Sequence, residues 1–210
     1  MKTQIKSYLE NLTETLNNLD IDAIENCANV LLKAYENGNH IFICGNGGSA
    51  ATASHFACDI NKGVSYGLQK RFKVIPLTDN LGTITAYTND VGYDIVFEEQ
   101  LKNFFNPGDV LVGISGSGNS KNVLKAIDFI NKNGGVSVGW TGFDGGKLKE
   151  LAHHSVDANI NDMQISEDIH MTMVHVLMKL LKEAVVEIEK PKVKNLYDVR
   201  RFTLRKKAKV

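Results

Sequence analysis

His55 and Asp59 stand four residues apart, so on a helix an imidazole and a carboxylate share one face. They follow Gly45-Asn46-Gly47-Gly48-Ser49, a glycine-rich run between the apolar stretch HIFI (40–43) and a helical pattern. A second run, Ser115-Gly116-Ser117-Gly118-Asn119-Ser120, follows DVLVGI (109–114) in the same way. Glycine lets backbone approach an anion, and a helix N-terminus offers unpaired N–H groups at the positive end of its dipole. Three serine hydroxyls within the second run add donors suited to a phosphate monoester. Neither run is a dinucleotide fingerprint or a P-loop. The first lacks the GxGxxG spacing and the acidic residue about 20 positions on, and GK[ST] is missing from both. The pair follows a helix N-terminus that already looks like a ligand site. A surface helix pair worth a few tenths of a kcal/mol is the plainer reading of the same spacing.

The other candidate groups divide by helical register. Cys58, three residues after His55, reads as a buried thiol rather than a metal ligand. Ala50, Ala53 and Ala57 form a small-residue stripe for close packing. His170 lines up with Val174, Leu177 and Leu181 and reads as a packed core histidine, whereas His175 lines up with Asp168, Thr172 and Lys179 on a polar stripe. That stripe suits solvation as well as chemistry. His153 and His154 precede a short strand and carry no signal.

The elements that must position these groups follow from periodicity. Apolar residues at three- and four-residue spacings predict helices over 2–18 and 21–36, the second ended by Gly38. Short apolar or β-branched runs then predict strands at 40–44, 73–77, 109–114, 135–140 and 155–160. Helices are expected between them at 49–62, about 80–88, about 94–105, 119–133 and 146–152. A long helix at 167–189 closes the pattern, with Ser166 as its N-cap and Glu167 and Asp168 in its first turn. Strands alternating with helices mean βαβ units and a parallel sheet. Loops at the carboxyl ends of such strands surround the ligand crevice.

Composition sets the bounds. The 210 residues carry 24 basic and 24 acidic side chains, but from Lys190 on there are nine basic residues against one acid, Asp198. Residues 1–189 are therefore acidic and show no nucleic-acid signature. The extension 190–210 is a basic tail that pairs with the acidic body or with an anionic partner such as nucleic acid; the former is the expectation. Three cysteines with no CxxC pair point to a reducing cytoplasm. There is no apolar core of a signal peptide near the N-terminus and no apolar run of membrane-spanning length, so no membrane partner is expected.

Two leading helices, CGNGGSA…HF, TND at 88–90, GISGSGNS and a late EDIH…H helix resemble the sugar isomerase (SIS) family. More closely they resemble the bacterial phosphoheptose isomerases. The resemblance covers residues 1–189, and the ordered loop pair is its specific part. It implies an α/β three-layer sandwich with a five-stranded parallel sheet flanked by helices, plus an N-terminal helical hairpin at 1–38. It implies that Asn46, Gly47, Gly48 and Ser49 contact the sugar phosphate, with Asn89 and Asp90 as a further substrate pair. Ser115, Gly116, Ser117 and Ser120 would hold the phosphate. Asp59 and His175 take the catalytic positions. Glu167 falls where the family has a ligand-binding glutamine. His55, Asp59, Glu167 and His175 match a metal set, zinc or another divalent ion, and family members form homotetramers with shared active sites.

Three departures stand out. The family carboxylate is Glu where this chain has Asp59, the amide has become Glu167, and the family Gly-Arg has become Lys62-Gly63. The activity implied is conversion of sedoheptulose 7-phosphate to D-glycero-D-manno-heptose 7-phosphate through an enediol. The alternative is a non-catalytic SIS protein, a sugar-phosphate sensor or an adaptor for replication-initiation proteins.

Overall fold

The computed structural model describes residues 1–189; the basic tail lies outside the described residues. Helix α1 (Lys2–Asn17) and helix α2 (Ile21–Asn37) lead the chain. Asp20 caps α2 by accepting from the Ala23 N–H at 3.0 Å, and Gly38 ends it in the left-handed region at φ 76°. Strands β1 (His40–Gly45), β2 (Lys73–Pro76), β3 (Val110–Ser115), β4 (Val136–Thr141) and β5 (His154–Asp157) form one wholly parallel sheet in the order β2-β1-β3-β4-β5. The near-continuous apolar runs of the central strands are what a sheet covered on both faces requires. Helices α3 (Gly48–Cys58), α4 (Leu81–Asp90), α5 (Val96–Phe104), α6 (Lys121–Lys132), α7 (Gly146–Leu151) and α8 (Met163–Glu189) complete the body.

The pleat sorts side chains into two cores. Ile41 and Ile43 of β1, Val110, Val112 and Ile114 of β3 and Trp140 of β4 face one core with α2, α3 and α8. Phe42, Cys44 and Leu111 face the other, with α5, α6 and α7. The sheet is thus the middle of three layers, and the expected fold class is observed. Each layer holds one buried thiol, Cys27 in the first and Cys44 in the second, and burial pushes both thiols up in pKa, Cys27 to about 12.

Most boundaries fall within two residues of the sequence expectation, and a few places differ in kind or by more. The helix expected over 49–62 is α3 followed by a wider π-helical turn, Asp59–Val64. Asn89 and Asp90 are the last residues of α4, which runs past the expected end at about 88. The last strand ends at Asp157, and Asn159 turns the chain away with φ 48°. Helix α8 begins four residues early. Asp162, not Ser166, is its cap: the Ile165 N–H donates to Asp162 Oδ1 at 3.0 Å. Ser166 is buried inside the first turns, its hydroxyl donating to the Asp162 carbonyl at 2.7 Å. Both leading helices pack on α8, α2 resting on the sheet as well, and Tyr8 of α1 donates to Asp168 Oδ2 at 2.7 Å. Among the described residues no helix is long and apolar enough to cross a membrane.

Candidate active site

The carboxyl edge of the sheet carries both glycine-rich loops, one between β1 and α3, the other between β3 and α6. These strands are neighbours, so the loops open side by side. The second loop is built as a cradle. The Gly116 carbonyl accepts from the Gly142 N–H at 2.8 Å, the Gly118 carbonyl from the Leu148 N–H at 2.9 Å, and the Ser115 carbonyl from the Gly118 N–H at 2.9 Å. These three carbonyls are therefore occupied, which leaves serine hydroxyls of the loop as donors for an anion. Ser115 and Ser120 face each other with their hydroxyl oxygens 3.0 Å apart, and Ser120 stands at the N-cap of α6. Ser117 accepts from the Asn119 N–H at 3.3 Å. Beside it opens a cleft of about 560 Å³ lined by Ser117, Asn119, Phe143, Asp144, Asn159 and Asn161.

The first loop differs. Gly47 takes φ 54° at the N-cap of α3, Gly48 is exposed, and Ser49 is buried. A side chain at Gly48 would put its Cβ 2.5 Å from Glu167 Oε1, so the Glu167 carboxylate lies directly over this glycine. The positive end of α3 thus already faces a negative group of the protein itself. Asn46 is bound to a partner the sequence did not flag: its amide and that of Asn122 pair reciprocally, both bonds at 2.9 Å.

Three candidate residues converge where α3 meets α8. His55 Nε2 lies 3.4 Å from Asp59 Oδ2 and 3.2 Å from His175 Nε2, and His175 Nε2 lies 3.9 Å from Asp59 Oδ2. The imidazole rings meet edge to face. Asp59 is half-buried, and both histidines are exposed. All three ligand atoms lie within 4.8 Å of one another. Four ligands at 2.0–2.1 Å around a tetrahedral zinc ion stand about 3.3 Å apart, so this donor set and spacing fit such an ion. Glu167 is not in this group. With α8 starting at Met163, Glu167 is inside regular helix eight residues before His175, and its direction differs from that of His175 by about 80°. That turns it to Gly48 instead.

The remaining expectations divide. His170 is a core histidine: 2% exposed, its Nε2 3.1 Å from the Thr141 carbonyl oxygen, its pKa lowered by burial against the opposing pull of that carbonyl and Asp157. His153 is a staple: its Nδ1 accepts from the Ser137 N–H at 3.1 Å. Cys58 is exposed rather than buried, because the buried stripe of α3 runs through Ala53, Phe56 and Ala57 and Cys58 falls off it. Asn89 donates to Asp90 at 2.7 Å, and both are exposed at the end of α4. Tyr93, which sequence reasoning missed, donates to Asn46 Oδ1 at 2.6 Å.

Comparison with known proteins identifies the family. Residues 4–142 match the family described as the SIS domain. The chain is 37% identical to the phosphoheptose isomerase of Aliarcobacter butzleri over 161 residues, 76% of this chain and 84% of that one. It is 37% identical to the phosphoheptose isomerase of Helicobacter pylori strain P12 over 177 residues, 84% of this chain and 87% of that one. Its fold is similar to the solved phosphoheptose isomerase of Neisseria gonorrhoeae, with a TM-score of 0.79 at 28% identity, covering 87% of this chain and 96% of that one.

Proposed function

The chain belongs to the SIS-domain phosphoheptose isomerases, and from that membership we propose that it converts sedoheptulose 7-phosphate to D-glycero-D-manno-heptose 7-phosphate. The observation that carries the reading is the meeting of His55, Asp59 and His175 beside a serine-lined anion cradle. An aldose–ketose exchange needs an acid–base group for carbon and another for oxygen. Asp59 takes a proton from C1 of the ketose and delivers one to C2. His175 gives a proton to O2 and accepts the one leaving O1, so the cis-enediol collapses to the aldose. Ser115, Ser117 and Ser120 hold the phosphate, with Gly116 giving the backbone close approach. Gly47 and Gly48 face the sugar, with the buried Ser49 behind them, and Glu167 beside them accepts from its hydroxyls. Asn89 and Asp90 extend the same contact surface. The non-catalytic alternative is not favoured, since relatives at 37% identity over most of the chain are named as isomerases.

The same reading includes a divalent ion, zinc by its donor set, held by His55, Asp59 and His175. When bound it would supply positive charge where the enediolate gathers negative charge. Asp59 has two oxygens, so one can serve such an ion while the other faces the sugar. The reading also includes a homotetramer. Ile5 and Leu9 of α1 are 60% and 55% exposed, and α4 has no buried residue, which leaves apolar area for a second copy to cover.

The deciding experiment incubates protein with sedoheptulose 7-phosphate in D₂O and follows the sugar by NMR. A heptose 7-phosphate with deuterium at C2 is the expected product. Binding without turnover would replace the enzyme reading with that of a sensor. In parallel, dialysis against chelator should lower the melting temperature and added Zn²⁺ should restore it; no change in either direction would remove the ion from the proposal.

A further inference from the structure

Asn46 has little left to give a ligand. Its side-chain oxygen has two lone pairs, and both are taken: the Tyr93 hydroxyl donates to it at 2.6 Å and Asn122 Nδ2 at 2.9 Å. One of its two Nδ2 hydrogens goes to Asn122 Oδ1 at 2.9 Å. What remains is a single N–H, aimed by three hydrogen bonds. Asn122 is 2% exposed in the first turn of α6, and its oxygen also accepts from the Val123 N–H at 3.0 Å. A buried amide in such a network is satisfied and has no free choice of orientation.

The three residues belong to three separate segments. Asn46 is in the first loop, Asn122 directly follows the serine loop, and Tyr93 lies in the short turn Tyr93–Ile95 that joins α4 to α5. That turn has a second link to α6, Asp94 Oδ2 to Lys121 Nζ at 3.8 Å. Helix α4 has no buried residue and packs only against this turn and α5 among the stronger contacts of the described residues. The placement of Asn89 and Asp90 therefore depends on how the turn is held.

Resting on the isomerase reading above, we propose that Tyr93 and Asn122 are positioning residues. They act through Asn46 to clamp the first loop, the serine loop and the end of α4 at one fixed separation. The two ends of a sugar phosphate are gripped by different loops, so that separation sets where the reacting carbons fall relative to Asp59 and His175. A misplacement of about 1 Å costs on the order of 100-fold in rate. Neither residue needs to touch the substrate for this.

The test uses Tyr93→Phe, a change at an exposed ring that leaves the fold alone, and Asn122→Asp, which keeps the shape and removes the donor facing Asn46 Oδ1. Expected are falls in kcat of about 10-fold and about 100-fold, with KM and the inhibition constant of inorganic phosphate within about twofold of wild type. In an Asn46→Ala background Tyr93→Phe should add nothing, because its only route is gone. Full additivity, or an unchanged kcat in Tyr93→Phe, would overturn the clamp. Amide hydrogen exchange on the protein without ligand reads the clamp independently of turnover. In Tyr93→Phe, exchange should rise together across 45–49 and 120–123; a rise in neither, or in one alone, rejects it. If wild-type protein turns over no sugar phosphate, the isomerase reading falls while the exchange result still decides the clamp.

Discussion

In the proposed reaction Asp59 moves the carbon proton. Asp59→Asn keeps the shape and the contact with His55 but removes the base, so turnover should fall at least about 100-fold while the thermal transition stays cooperative. Full activity in that variant would take the carbon proton away from Asp59. Once activity is in hand, the His55–Asp59 pair is seen to have been readable from spacing alone, because i,i+4 on a helix is a local geometric fact. His175 was not: a polar stripe on α8 has the same pattern whether it meets water or a second histidine, and only the packing of α3 on α8 separates the two. Tyr93 and Asn122 left no trace at all in the sequence. Their bonds to Asn46 span 47 and 76 residues, and no local period encodes a contact of that range. The Glu167 contact with Gly48 was hidden for a third reason. It depends on where α8 begins, and Asp162 and Ser166 are both acceptable caps by residue type.

At the scale of elements, strand and helix order was legible, since short apolar or β-branched runs alternate with stretches of helical spacing along this chain. Boundaries drifted where capping chemistry or backbone widening decides them, as at α8 and at the π-helical turn after α3. The serine loop gives a sharp prediction. Gly118 has φ 64°, and a Cβ there would run into the Gly145 carbonyl. Gly118→Ala should therefore distort the cradle and weaken inorganic phosphate binding by at least about tenfold, with the opening between β4 and α7 forced to shift as well. A milder phenotype with normal phosphate affinity would show that the cradle tolerates the strain. His170 ties α8 to the end of β4, and through Gly142 that strand end holds Gly116. Burial lowers its pKa from the ordinary 6.5, so the unfolded chain takes up a proton that the folded chain refuses. Stability contributed at this site is constant above pH 6.5 and declines as pH falls below it, by up to about 1.4 kcal/mol per pH unit until the folded value is reached. His170→Gln should flatten the dependence of the denaturation midpoint between pH 6.5 and 5.5; an unaltered slope would assign the proton uptake elsewhere.

The whole molecule is two cores on one sheet, and the proposed ligand straddles them. The proposed acid–base pair, Asp59 in the π-helical turn after α3 and His175 on α8, belongs to one layer, and the serine loop opens α6 of the other. Binding of sedoheptulose 7-phosphate should therefore raise the melting temperature as one cooperative transition rather than protect half the chain. Assembly belongs to this scale too. If Ile5 and Leu9 are covered in a homotetramer, the double variant Ile5→Glu, Leu9→Glu should sediment near the 23.2 kDa monomer and wild type near four times that mass. Wild type at monomer mass would leave α1 without a partner and the shared-site reading without support. The distribution of thiols has its own use. Cys58 is exposed one residue from Asp59, while Cys27 and Cys44 are sealed in opposite layers. A maleimide dye applied to native protein should therefore attach at one position, beside the proposed carbon base. The slow labelling that follows, resolved by peptide mass, should clock the opening of each layer separately, so the unmodified chain carries its own pair of stopwatches for the order in which its two halves come apart.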